Sequence, residues 1–335
     1  MIKNILKKKP YIIAEIGANH NGNISLAKKT ILYAKKAGCD AVKFQSWDET
    51  LNSNFVYEKN RELLKQMKKF KVSFNDLKKL RNYSKKIGID FGTAIFNKRQ
   101  LIEAVKIKCD FIKIASMDID NSYLLELVAD IKSNLIISTG TASKSEIIYA
   151  SNIFKRKKKK NVIFLHCISL YPPRNEKDIN LKNILLLKKI TGFETGFSDH
   201  TTWLETNLAA TAIGAKVIEK HFTTNKKLKG WDHSISADLD EMKSIVSSCK
   251  KISLLLGNEK RTITKNERDQ AKVMRRSICA IEDIKNNEKF TLKNIDLRRP
   301  GYGISPKKFK DFLKMKNLGK FIPKGSLIKK DKNKY

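Results

Sequence analysis

Eight short runs of strand-forming residues recur along the 335-residue chain, each followed by a polar turn and a helix-length segment. The runs cover residues 11–15, 41–45, 90–93, 111–115, 135–139, 162–166, 194–197 and 217–219. Between them, segments such as 26–37, 76–87, 123–132 and 204–213 carry apolar residues at helical spacing, and several end in glycine. Runs such as VIFLH are apolar at consecutive positions, the pattern of a strand buried on both faces. This alternation predicts an α/β fold with a TIM (β/α)8 barrel over residues 1–256. A doubly wound open sheet is the competing topology. It is disfavoured because no G-x-G-x-x-G follows an early strand and because eight units suit barrel closure.

Beyond the last barrel helix, near 241–256, the pattern changes. A polar stretch, 257–273, reads as a helical or extended linker, and 274–335 as a small β-rich domain of short strands and turns. The 41% hydrophobic content is enough for a substantial core. Lys and Arg outnumber Asp and Glu by 69 to 34, a formal charge of +35 that raises the question of nucleic acid or acidic lipid as a partner. The excess is mainly Lys and is spread along the chain. Its densest run, 155–160, lacks interleaved aromatics and falls between a helix and a strand, so it reads as a solvated loop and no nucleic acid is expected. The five cysteines are scattered without a C-x-x-C pair, which speaks against a disulfide framework or structural zinc and for reduced thiols in a cytoplasmic protein. No segment has the length of a signal-peptide core or a membrane span, so neither export nor membrane insertion is expected.

In a parallel barrel, reactive groups gather at the C-terminal strand ends. Here those ends carry Glu15, Lys43 with Gln45, Lys113 with Ser116 and Asp118, Ser138, His166 with Ser169 and Tyr171, Ser198 with His200, and Glu219 with His221. All five histidines fall at or just past such ends. Lys43 and Lys113 sit among apolar neighbours and should point into the barrel mouth, where an unpaired ammonium is costly. An internal carboxylate such as Glu15 or Glu219 could neutralise each of them. Alternatively, two lysines with the Ser138 and Ser198 hydroxyls make a cradle for phosphate plus carboxylate. His200 and His221, on adjacent strands, can converge on one metal ion or serve as hydrogen-bonded mouth histidines.

As a set, AEIGANHNG, VKFQ, KIAS, LYP, SDHT, GAKVIEKHFT and GWDHSIS resemble, in order and spacing, the barrel motifs of the N-acetylneuraminate (sialic acid) synthase family. RRSICAIEDI, RRPGYGISP and GSLI resemble that family's antifreeze-like (SAF) C-terminal domain. The resemblance implies condensation of phosphoenolpyruvate with N-acetylmannosamine or a related N-acylated amino sugar, giving a nine-carbon 2-keto acid and phosphate. It implies that His200 and His221 bind a divalent ion, Mn2+ with Mg2+ or Co2+ as alternatives. Lys43, Lys113, Ser138 and Ser198 match positions that hold phosphoenolpyruvate, and Ser116 is a further substrate-binding position. Gln45, Ser169, Tyr171 and Asp232 match positions facing the sugar, with Glu15 and Asp118 at acid positions. Arg299 matches a tail arginine that reaches the sugar's acyl group from the partner subunit of a domain-swapped homodimer. Three departures fall on the sugar side: KIASMD where KI(A/P)SGE is frequent, Ser169 where Asn is usual before YP, and GWDH in place of GPDH. Two other readings are a synthase using a sugar phosphate, which needs a further cationic cluster, and a basic binding protein without turnover.

Overall fold

The computed structural model describes residues 10–329, so most of the lysine-rich N-terminus and the last six residues lie outside the described part. Eight parallel strands close into a barrel in chain order: β1 Tyr11–Gly17, β2 Ala41–Gln45, β3 Asp90–Ile95, β4 Phe111–Ile114, β5 Asn134–Ser138, β6 Val162–Cys167, β7 Glu194–Asp199 and β8 Val217–His221. The expected barrel, and not the open sheet, is what forms. Closure is through β1, which pairs with β2 on one side and β8 on the other.

The helices are α1 Ile24–Ala37, α2 Asn54–Lys59, α3 Arg61–Phe70, α4 Phe74–Ile87, α5 Lys98–Lys106, α6 Ser122–Asp130, α7 Lys144–Arg156, α8 Asn183–Thr191, α9 Leu204–Ala212 and α10 Leu239–Leu256. Their ends follow local chemistry. Asn23 caps α1 by accepting from the Ser25 and Leu26 amides, and Gly38 ends it at φ 85°. Ser143 and Asp238 form capping boxes with Glu146 and Glu241, each cap contributing about 1 kcal/mol. Between β2 and α4 the chain makes an excursion through α2 and α3 that the simple strand-helix alternation does not anticipate.

The barrel interior is filled by Tyr11, Ile13, Ala41, Phe111, Ile136, Ile163, Leu165 and Val217. Gly92 makes room there, since a Cβ at that position would run into the Phe111 ring. A larger apolar layer, including Ile12, Phe44, Ile112 and Phe164, packs between strands and helices. With apolar residues filling the interior, the polar residues at the strand ends are the ones left to line a cavity. The lysine run is a surface turn tied to neighbouring acids: Arg156 pairs with Glu126, and Lys157 with Asp130 at 2.9 Å.

The chain divides into two compact units after Gly257. In the second, α11 Lys265–Met274 begins at a Thr264–Glu267 capping box, and β9 Ser277–Ala280 pairs antiparallel with β10 Ile295–Arg298. A short helix, α12 Phe309–Phe312, completes it. Its own core contains Ile278, Ile284, Phe290, Ile295 and Phe312. The stretch read as a linker thus contains α11, which receives a hydrogen bond from the Gly301 amide at the Lys272 carbonyl, 2.7 Å. All five cysteines are buried free thiols. Among the described residues, no helix is long and apolar enough to cross a membrane.

Candidate active site

At the strand ends, register places Glu15 opposite Lys43 on one side and His221 on the other, Lys113 opposite Ala94, and Ser198 opposite Glu219. Because residues two apart on a strand share a face, Lys43 and Gln45 project together, as do Glu219 and His221. The result is a cavity of about 280 Å³.

Its charged part is a buried quartet. Lys43 Nζ lies 3.0 Å from Glu15 Oε2 and 3.3 Å from Glu219 Oε1, while Lys113 Nζ lies 3.5 Å from the same Glu219 oxygen. Ser198 donates to that oxygen at 3.1 Å. Both readings of the lysines therefore meet in one place, since they face the cavity and each is paired with a carboxylate. Burial works to raise the Glu219 carboxyl, but Lys113 and Lys43 outweigh it and hold the group down at about 2. Glu15 is pushed up to about 7 by burial, which the attraction of Lys43 only partly offsets, with the negative charge of Glu219 pushing the same way. Burial shifts Lys113 downward. Such a quartet contributes little to stability, since desolvation consumes most of its Coulomb attraction.

Beside it lie the two cavity histidines, ring centroids 5.5 Å apart. His200 Nδ1 is 2.6 Å from the Ile168 carbonyl. A carbonyl only accepts, so Nδ1 carries the proton and Nε2 the lone pair. Burial lowers His200 to about 4 and, with the positive potential of His200 and Lys43, lowers His221 further, so both rings are neutral. His221 Nδ1 is buried without a hydrogen bond, 3.7 Å from Asp232 Oδ2. Burial raises Asp232 to about 6. Among the described residues no group of three or more His, Cys, Asp or Glu is arranged to hold an ion. Even so, two neutral imidazoles, one with a buried nitrogen lacking a partner, form a donor pair suited to a divalent ion that takes its other ligands from water or substrate.

Tyr171 packs against His200 with ring centroids 4.1 Å apart and planes tilted by 31°, and Gln45 donates to Glu15 Oε1 at 2.8 Å. Ser116, Ser138 and Ser198 all line the cavity. Ser169 is held at 3.0 Å from Ser116, outside the lining itself. Asp118 is also outside it, accepting from Asn121 at 2.9 Å. Arg299 is exposed on the second unit, just past β10. The other three histidines serve the loops: His20 accepts from the Gly22 amide, His166 bonds the Ile179 carbonyl, and His233 bonds Thr223. Glu219 is the residue whose place in the cavity the sequence understates, and Trp47 and Trp231 also line it. The signal for Glu219 is a carboxylate inside an otherwise apolar strand; Trp231 shows only as the departure in GWDH.

The sequence profile of the NeuB family matches residues 30–261. The chain belongs to the NeuB family. It is by that membership a phosphoenolpyruvate-dependent synthase of the nonulosonic acid type. The NeuB chain is 35% identical over 319 residues to the N,N'-diacetyllegionaminic acid synthase of Campylobacter jejuni, covering 91% of this chain and 95% of that one. It is 34% identical over 332 residues to a Campylobacter jejuni pseudaminic acid synthase, covering 96% of both. The crystal structure of an N-acetylneuraminic acid synthetase from Leptospira borgpetersenii matches this NeuB fold with a TM-score of 0.72 at 39% identity, over 78% of this chain and 90% of that one.

Proposed function

We propose that this NeuB enzyme joins C3 of phosphoenolpyruvate to the aldehyde carbon of an N-acylated hexosamine, with water adding at C2 and phosphate leaving. The observation that carries this reading is the meeting, in one cavity, of two buried lysines with two neutral imidazoles. Lys43, Lys113 and the hydroxyls of Ser116, Ser138 and Ser198 hold the carboxylate and phosphate of the donor. Charge-assisted donors around a multiply charged anion suit that task. Glu219 lies within 3.3 Å of Lys43 Nζ and 3.5 Å of Lys113 Nζ, and Glu15 within 3.0 Å of Lys43, so the two lysines are held in place for an anion and need little reorganisation at the moment of reaction.

Gln45, Tyr171 and Asp232 orient the sugar, with Ser169 steadying Ser116 from behind. Glu15, fixed by Gln45, stands at the sugar end as a proton-transfer group whose raised value suits work near neutral pH. Asp118 retains the acid position of the resemblance, although its carboxylate is turned to Asn121. His200 and His221 would hold the divalent ion, Mn2+ in the first instance, with Mg2+ or Co2+ able to replace it. That ion, when bound, supplies Lewis-acid polarisation of the sugar carbonyl. Arg299, in a domain-swapped homodimer, would serve the acyl group of the sugar bound by the partner. The test is phosphate release measured with phosphoenolpyruvate, Mn2+ and a panel of N-acylated hexosamines. Release is expected only when all three are present, and no release with any acylated sugar would overturn the reading.

A further inference from the structure

Directly behind the cavity histidines lies a buried ion pair that the reaction above leaves unused. Strand register sets Phe197 opposite Ile218, Ser198 opposite Glu219 and Asp199 opposite Lys220, and there the pairing of β7 with β8 ends. Successive residues of a strand face opposite ways. Ser198 and Glu219 accordingly line the cavity, as do His200 and His221 one step beyond, while Asp199 and Lys220 are absent from its lining. Lys220 instead borders a separate cleft toward α10, with Asp240 and Ser244. The two histidines thus stand one residue past the last rung that joins β7 to β8.

At that rung the side chains continue the tie. Lys220 Nζ lies 3.1 Å from Asp199 Oδ2 and also donates to the Thr201 carbonyl. Asp199 Oδ1 accepts from the Thr201 amide at 2.9 Å, and its Oδ2 accepts from Asn207 at 2.7 Å and from Thr206 at 3.3 Å, both on α9. His200 is therefore pinned through the residue before it and the residue after it, and Lys220 links that turn to the strand that carries His221. Asp199 is 0% exposed and Lys220 3%. A buried ion pair adds little to stability, because desolvation offsets its attraction. What this one supplies is a fixed distance between two chain segments. That distance matters most for His221, whose Nδ1 has no hydrogen-bond partner to aim the ring, whereas His200 is held by the Ile168 carbonyl.

We infer that Asp199 and Lys220 are positioning residues, a clamp on the outer face of β7 and β8 that sets the separation and direction of the His200 and His221 donors. The inference rests on the metal reading proposed above, and its test lets the two fail separately. In the full-length protein, the double variant Asp199→Asn/Lys220→Met removes both charges at once, so neither ion is left buried alone, and circular dichroism should show the parent fold. Calorimetric titration with Mn2+ is expected to show affinity lower by about tenfold or more, the scale on which groups behind metal ligands act. Lys220→Arg, which keeps the cation, should retain most of that affinity. Phosphoenolpyruvate affinity, titrated without metal, should be unchanged, because Lys43 and Lys113 keep their carboxylate partners. A double variant that melts earlier yet binds Mn2+ like the parent overturns the clamp and leaves the metal reading standing, since a purely structural pair would behave that way. If the parent binds neither Mn2+, Mg2+ nor Co2+, the metal reading is wrong, and the histidine ring-nitrogen resonances of the metal-free protein decide the clamp alone. Unchanged His200 and His221 signals in the double variant refute it; shifted signals there, with His166 unmoved, uphold it. Should the double variant not fold, Thr206→Ala, which removes one bond from α9 to Asp199 and leaves the ion pair, takes its place, a loss of Mn2+ affinity supporting the clamp and full affinity refuting it.

Discussion

Glu219 is the residue on which the charged half of the cavity turns, because among the described residues it alone forms an ion pair with both lysines. Replacing it with Gln keeps the shape and the Ser198 contact but leaves two ammoniums facing one carboxylate. Breaking a buried pair from one side costs about 3 kcal/mol or more. Glu219→Gln is therefore expected to lower the denaturation midpoint, and phosphoenolpyruvate, by supplying the missing negative charge, should restore more stability to the variant than to the parent. Equal ligand-induced shifts in the two proteins would contradict the donor site. Read as sequence, Glu219 is merely a counter-charge within a strand, since only closure of the barrel, which sets β8 beside β1 and carries β2 and β4 around the same mouth, reveals that one carboxylate serves two lysines. The histidines teach the reverse lesson. All five are expected at or just past strand ends, yet His20 and His233 lie in the loops beyond β1 and β8, His20, His166 and His233 bond to loop groups, and of the five His200 and His221 line the cavity. Spacing gives the height of a ring above the barrel, whereas its direction depends on which loop carbonyl or hydroxyl comes near. His221→Ala removes one of the two proposed donors without breaking a bond to Nδ1. Calorimetric titration with Mn2+ should show affinity falling by about a hundredfold or more, beyond the cost of outer-shell changes, with an unchanged circular dichroism spectrum. Retained affinity would remove the metal assignment.

At the level of elements, the strands were legible because their burial on both faces leaves a continuous apolar signature, and β2 falls on residues 41–45 as expected. The excursion through α2 and α3 was not, since Arg61–Phe70 carries so many charges that its buried Met67 and Phe70 disappear among lysines. Its apolar partners, Trp47 and Trp231, are separated by most of the barrel sequence, so no local window could join them. Barrel closure has a sharper local requirement at Gly196 in β7. A methyl there would run into the Val217 carbonyl and Leu165, and a backbone atom of the neighbouring strand cannot rotate away. Gly196→Ala is expected to cost about 2 kcal/mol, lowering Tm by about 5 °C for a unit of this size. Thermal unfolding checks this, and an unchanged Tm would mean that β7 and β8 can separate locally at no cost.

For the whole molecule the open matter is how a second unit with its own core contributes to chemistry housed in the barrel. Arg299 belongs to that unit, and the family resemblance gives it to the sugar of a partner's barrel. Two variants separate service to the partner from service to the same chain. His221→Ala disables a barrel and leaves its tail intact, while Arg299→Ala does the reverse; the latter alone should raise the sugar KM much more than that of phosphoenolpyruvate. If tails are exchanged, a mixed dimer pairs the intact barrel of the arginine variant with the intact tail of the histidine variant, restoring one complete site. The other site carries both lesions. With random association half of the dimers are mixed, so an equimolar mixture should recover about a quarter of the parent rate at low sugar concentration. Association of such chains requires unfolding and refolding together or co-expression, so the control is each variant treated alone. A mixture no more active than the average of its two components would show that Arg299 acts on its own barrel or on none, because a site assembled within one chain cannot be completed by a second.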